Sequence, residues 1–272
     1  MKKRFLPAVL AAALALSSLI AACSPSKPAA PAPATAVAYG RVHGAGYIGR
    51  VQITANKNGA VSAAEIDETF FPVLNGWTAY TAGVYGADGF EDYYAYGAEE
   101  APITTAYAKY IRIDERTFEA AGTAATPVYR ETSGNVYDLE KLLQSGDDGI
   151  CGWYYDAVTT GKAQILKKDG EILVADTPAK HSSVTFNKRG ADSAYWQAGG
   201  AGLGWKANIA ALEDYIIAYG MNYAYDSFSK SEESGYTSYW EINDALTGAT
   251  LSDMGDYLLL AIKAYDLARA QQ

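Results

Sequence analysis

The sequence predicts an α+β fold in which an antiparallel sheet carries two C-terminal helices. Three observations predict it. Tyr47 to Ala55 alternates apolar and polar residues, and Asn58-Gly59 behind it is a strong hairpin signal. Trp205, Ile209, Leu212, Ile216 and Tyr219 recur at helical spacing, and Gly220 stands where a C-terminal cap belongs. A second amphipathic stretch follows Ser252, with Met254, Leu258, Ala261, Ile262 and Tyr265 on one face.

The first residues have a different character. Met1-Lys2-Lys3-Arg4 is basic, Phe5 to Ile20 is apolar but interrupted by Pro7, Ser17 and Ser18, and small residues lead to Cys23. That order is the order of an export signal and not of a spanning helix, which needs about 20 apolar residues. Leu19-Ile20-Ala21-Ala22-Cys23 resembles the bacterial lipobox. The resemblance implies cleavage before Cys23 and acylation of that residue by chains such as palmitate; an ordinary signal with an incidental cysteine is the alternative. Each buried methylene contributes about 0.8 kcal/mol, so two or three chains hold a protein on a bilayer. The expected organisation is a signal peptide over 1–22, an Ala/Pro-rich tether over 23–38, and a folded part over 39–272.

Within the folded part, Val61 to Ile66 reads as the strand returning from Asn58-Gly59, with Asp67-Glu68-Thr69 ending it. Trp77 to Tyr110 is rich in Tyr, Gly and Ala, and Tyr93-Tyr94-Ala95-Tyr96 has no clean period. Val136 to Gln144 reads as a short helix. Lys168-Asp169-Gly170 between Ala163–Leu166 and Glu171–Ala175 reads as a second hairpin. The glycine-rich run Gly199 to Gly204 fails as a dinucleotide fingerprint, because Trp205 stands where the last glycine is needed, and it reads as a loop before the helix.

The composition excludes several functions. The chain has 22 basic and 31 acidic residues; cleavage removes Lys2, Lys3 and Arg4 and leaves 19 against 31, a mature charge of about −12. Such a surface is unsuited to nucleic acid. With Cys23 acylated, Cys151 has no partner for a disulfide and reads as a small buried residue. His43 and His181 are far apart, and no Cys/His/Asp spacing matches a metal site.

The chemistry-bearing segment is Asp244-Ala245-Leu246-Thr247-Gly248-Ala249-Thr250-Leu251-Ser252. It resembles the flavinylation motif of FMN-binding domains, Asp-x-x-(Ser/Thr)-Gly-Ala-Thr-x-(Ser/Thr), at every fixed position. These domains occur in the flavoprotein subunits of ion-pumping membrane reductases and in secreted flavoproteins of anaerobic bacteria. The resemblance implies FMN joined by a phosphoester to Thr250, installed by a transferase from FAD with magnesium. Asp244, Thr247, Gly248, Ala249 and Ser252 would form the recognition sequence and turn. It further implies an FMN-binding-like domain in which residues from about 70 to 190 are a long insertion or a second copy without its motif.

Local chemistry agrees with the resemblance. A helix starting just after Thr250 would offer N–H groups to a phosphate, Gly248 permits a tight turn, and small Ala249 would leave the hydroxyl accessible. The helix end is worth about 0.3–1 kcal/mol to an anion, whereas millimolar affinity needs about 4 kcal/mol, so a shallow extracytoplasmic site would need a covalent link. The competing explanation is that Thr250-Leu251-Ser252-Asp253 is a capping box. The expected function is a membrane-anchored electron carrier with unidentified redox partners. The alternatives are a lipoprotein holding FMN or another small ligand without a covalent bond, and a structural surface lipoprotein.

Overall fold

Pro33 is the last proline of the Ala/Pro run, and a strand starts immediately behind it. In the computed structural model, which describes residues 32–43, 47–70, 93–96, 105–108, 110–123, 126–133, 138–166, 169–171, 189, 203–224, 227–232, 239–243 and 245–272, β1 (Ala34–Val42) pairs antiparallel with β2 (Tyr47–Ala55), Ala38 opposite Val51. The expected tether to Ala38 is therefore too long at its end: Ala36, Ala38 and Val42 alternate into the core, and five residues assigned to the tether belong to the sheet. The described residues fall in one compact unit, Ala32–Gln272. The predicted signal peptide and Cys23 lie outside them.

The turn after β2 forms where Asn58-Gly59 places it, with Gly59 at φ +91°. The returning strand β3 (Val61–Phe70) extends beyond the expected end at Ile66. Asp67, Glu68 and Thr69 continue the ladder opposite Arg50, Gly49 and Ile48, and all three are buried. Polar residues normally mark a strand end. The two carboxylates stay inside because other elements supply partners: Tyr155 Oη donates to Asp67 Oδ2 at 2.6 Å, and Tyr257 Oη donates to Glu68 Oε2.

Residues 93–166 hold more regular structure than their sequence announces. The Tyr-rich cluster forms β4 (Tyr93–Tyr96), paired with β5 (Thr105–Ala108). Then come β6 (Tyr110–Ile113), β7 (Arg116–Thr123), β8 (Thr126–Glu131), α1 (Leu139–Gln144), α2 (Asp148–Thr159) and β9 (Ala163–Leu166). The four strands from β6 onward form an antiparallel sheet in the order β8-β7-β6-β9. Helix α1 and strand β9 match the sequence reading; β6, β7, β8 and α2 were not anticipated. Gly170 is at φ +88° in the turn after β9, and the return strand expected to Ala175 lies outside the described residues beyond Glu171.

Helix α3 (Gly204–Tyr219) packs on β3 and ends at Gly220, φ +73°. Trp205, Ile209, Leu212 and Ile216 are buried as the spacing predicts. Tyr219 is not: the last residue of the helix, it is 61% exposed and stacks on Tyr215 at 4.8 Å. The strands β10 (Phe228–Lys230), β11 (Trp240–Ile242) and β12 (Ala245–Leu246) make a small antiparallel sheet. Helix α4 (Met254–Arg269) then crosses β1 and β2. Met254, Leu258 and Ala261 are buried, Ile262 and Tyr265 only half so, and Tyr257, Ala264 and Ala268 complete the face.

The β1–β3 sheet thus has α3 and α4 on one side and α2 on the other. Its edges are covered too. On β3, Ile66 N donates to Glu213 Oε1 of α3 at 2.6 Å, and Ile66 O accepts from Arg189 Nη1 at 2.6 Å. On β1, Tyr39 N donates to Asp148 Oδ1 of α2 at 2.8 Å. Carboxylates from flanking helices supply acceptors that a further strand would otherwise supply.

Close approach of α4 depends on two glycines. A Cβ on Gly40 would lie 3.2 Å from Leu260 Cδ1, and one on Gly49 would lie 2.7 Å from Val42 Cγ1 and 3.2 Å from Leu260 Cδ2. Val42 is β-branched and held in the sheet, so it cannot swing away. Gly49→Ala is expected to lower stability by about 1–3 kcal/mol through overpacking, read as a lower urea midpoint.

A second test uses Glu140 of α1. Both its carboxylate oxygens lie within reach of Tyr129 N, at 3.2 and 3.1 Å, and burial pushes the carboxyl from 4.5 up to about 7. The native state therefore holds a proton that the unfolded chain releases. The stabilisation is full below the unfolded value and is lost as pH rises through about 7. Glu140→Gln keeps an acceptor but cannot ionise. Between about pH 5 and pH 8 its stability relative to the parent is expected to rise by up to about 3 kcal/mol, measured by urea unfolding at both values.

Candidate functional site: the Thr250 loop

The motif segment is built as a tight loop fastened to Trp240. Strands β11 and β12 are joined through residues 243 and 244, with Ile242 opposite Ala245. Asn243 takes φ +50°, a left-handed conformation that Asn tolerates, and its Nδ2 donates to Asn222 O at 2.7 Å. Asp244 itself lies outside the described residues. The backbone N–H and the Oγ1 of Thr247 both donate to Trp240 O at 2.8 Å, and Thr247 Oγ1 accepts from Ala249 N at 3.1 Å. Trp240 N donates to Ala249 O at 2.9 Å, and the indole Nε1 donates to Leu251 O at 2.7 Å. One tryptophan therefore closes the loop at four points.

Gly248 is the residue that makes the reversal possible. It sits at φ +76°, and a Cβ on it would lie 3.4 Å from Ala211 Cβ of α3. The backbone angle, more than the space, demands glycine. Ala249 has a different role from the one its size suggested. It is fully buried against the core, so smallness serves packing and does not open the hydroxyl to solvent.

Thr250 is held from below by Asn208 of α3. Asn208 Oδ1 accepts from Thr250 N at 2.5 Å, from Leu251 N at 3.0 Å and from Thr250 Oγ1 at 3.1 Å. Its Nδ2 donates to Gly204 O at 2.7 Å, which fixes which end of the amide faces the loop. Asn208 is 0% exposed, Leu251 is buried, and Thr250 is half-buried.

The expected helix start at Thr250 is corrected. Helix α4 begins at Met254, its N-cap is Asp253, and no side chain caps it. The Thr250-x-x-Asp253 capping box does not form, because Thr250 Oγ1 bonds to Asn208 and the chain turns through the exposed Ser252 before the helix begins. The rival explanation of Thr250 as a cap falls with it.

An open pocket of about 190 Å³ lies beside the loop. Phe228, Trp240 and Met254 supply its apolar lining, and Ser252, Asp253 and Asp256 its polar lining around Gly255. The Lys230 ammonium lies 4.0 Å from the Trp240 ring centroid, and burial lowers its pKa. Nearby, Tyr257 Oη lies 3.4 Å from His43 Nδ1, and His43 Nε2 lies 3.8 Å from Asp253 Oδ2. Together with Glu68 these residues tie the end of β1 to the start of α4.

No family model, no curated protein and no solved structure matches the chain. Among the described residues no group of three His, Cys, Asp or Glu is placed to hold a metal, and no helix is long and apolar enough to cross a membrane. Cys151 is buried in α2, with its thiol pushed up to about 11 by burial. His181 lies outside the described residues.

Sequence reasoning missed Asn208, Trp240 and Phe228. Asn208 left a signal. It falls between Trp205 and Ile209 on the apolar face of α3, and a polar residue at a core position is informative. Trp240 and Phe228 left none, because nothing in the local pattern marks the contacts they make with Leu251 O, Lys230 and Tyr223.

Asn208→Ala removes the acceptor of two loop N–H groups, one of them on fully buried Leu251. It is expected to lower stability by about 2–4 kcal/mol and to raise amide hydrogen exchange at Thr250 and Leu251 selectively. Unchanged exchange at those two amides would show that the clamp is not formed.

Proposed function

We propose that the protein is an extracytoplasmic electron carrier with FMN phosphoester-linked to Thr250. It is exported by its first 22 residues and held on a bilayer by acylated Cys23. The carrying observation is the state of the Thr250 side chain. It sits half-buried on a loop fixed by Trp240 and Asn208, and its hydroxyl has no part in capping α4.

The residues fit a phosphoester. The hydroxyl bonds to an amide oxygen, which takes no proton at ordinary pH. Thr250 therefore does not activate itself, as suits the substrate of a separate FMN transferase using FAD and magnesium. In that step Thr250 Oγ1 bonds to the FMN-side phosphorus of FAD, the pyrophosphate P–O bond breaks, AMP leaves, and the hydroxyl proton is lost. Asn208 Oδ1 then keeps its two backbone donors, so the loop stays in place once the hydroxyl hydrogen is gone.

Bound FMN supplies the redox chemistry. The chain positions the attachment atom and keeps the loop rigid. Thr247, Gly248 and Ala249 set the turn, Ser252 stands exposed beside the pocket, and Asp244 belongs to the recognition sequence.

The full chain coexpressed with an FMN transferase and then denatured should gain the mass of FMN less one water, on the Thr250 peptide. Thr250→Ser should keep the adduct and Thr250→Ala should lose it. An unmodified Thr250 beside a modified control substrate overturns the reading.

A further inference from the structure

We infer that the isoalloxazine ring seats in the pocket between Phe228, Trp240 and the first turn of α4, stacked on aromatic side chains while its phosphate stays at Thr250, two residues before the lining Ser252. This rests on the reading that FMN is esterified to Thr250. The pocket is not a bare helix end. Its lining joins two aromatic residues to Met254, a composition that suits a flat, largely apolar heterocycle.

The loop geometry delivers the ring there. Trp240 is bonded to both neighbours of Thr250, through its N–H to Ala249 O and through its indole to Leu251 O. Ser252, two residues past the attachment point, is itself part of the lining. The indole is held by the Leu251 bond and by Lys230 at 4.0 Å, so it is a fixed wall and not a mobile flap.

Charge sorts the two ends of the cofactor. Asp253 and Asp256 line the pocket. They disfavour a phosphate inside it and admit the uncharged ring, whose carbonyls and ring nitrogens can accept from Ser252. Orientation follows: phosphate at the rim, ring inward along the α4 start.

The test uses the full chain coexpressed with an FMN transferase and reads flavin emission, normalised to the covalent adduct measured by mass. Folded protein should emit far less than the same protein unfolded, because a flavin stacked on an indole is quenched. Trp240→Phe should raise folded emission several-fold per mole of adduct. Phe228→Leu keeps the volume but removes the aromatic face, and should alter the flavin's visible circular dichroism. Leu267→Ala, at the far end of α4, should change neither.

Emission that is equal in folded and unfolded protein, and insensitive to both pocket substitutions with the adduct present, places the ring outside and overturns this assignment alone. An unmodified Thr250 in the parent chain overturns the attachment reading and the seat with it.

Discussion

A single buried amide decides where the Thr250 loop sits. Asn208 stands on the apolar face of α3, where a polar group is tolerated only if its hydrogen bonds are made. Its oxygen takes three donors from Thr250 and Leu251, and its nitrogen gives to Gly204 O of its own helix. Each side of this contact needs the other. Without the loop the amide oxygen is stranded in the core, and without the amide two backbone N–H groups are. Such mutual dependence is worth more than the net value of three ordinary hydrogen bonds, because an unmet buried donor costs about 1–3 kcal/mol.

The clamp works only because α3 is itself fixed. Glu213, farther along the same helix, accepts from Ile66 N at the edge of β3 and pairs with Arg189, which donates to Ile66 O. The loop is thus referenced to the sheet through one helix. Helix α4 is referenced to the same sheet through Gly40 and Gly49, whose missing side chains admit Leu260. The pocket between the loop and α4 is therefore bounded on two sides by elements that share one base, the β1–β3 sheet.

How much of this could be read from the sequence follows from how local each cause is. The β2–β3 hairpin was legible because alternation and Asn58-Gly59 act within a few residues. The buried faces of α3 and α4 were legible because periodicity is a property of one helix. The continuation of β3 through Asp67, Glu68 and Thr69 was not, since its partners Tyr155 and Tyr257 are distant in the chain. Strands β6–β8 and α2 were missed for a related reason. Their core is made by residues such as Phe118, Tyr129 and Tyr154 that meet only once both helices dock. At the site, the motif's turn was legible, but the start of α4 was placed three residues early, because a capping box read in isolation ignores the better acceptor that α3 provides.

Folding accounts for most of the motif, and that narrows what remains to be explained. Thr247 is needed for its doubled bond to Trp240 O, Gly248 for its positive φ, and Ala249 because it is fully buried. None of these requires a cofactor. Thr250 is different. Its backbone N–H already reaches Asn208 Oδ1 at 2.5 Å, and the hydroxyl makes a longer bond to the same atom, 3.1 Å, adding no partner that the loop lacks. A residue without a hydroxyl would leave the clamp with both its backbone donors. Two motif side chains are not required by the fold, exposed Ser252 and the Thr250 hydroxyl, and Ser252 lines the aromatic pocket two residues beyond Thr250. An oxygen that is dispensable for folding, on a half-buried residue of a rigidly held loop, is free to be used for chemistry.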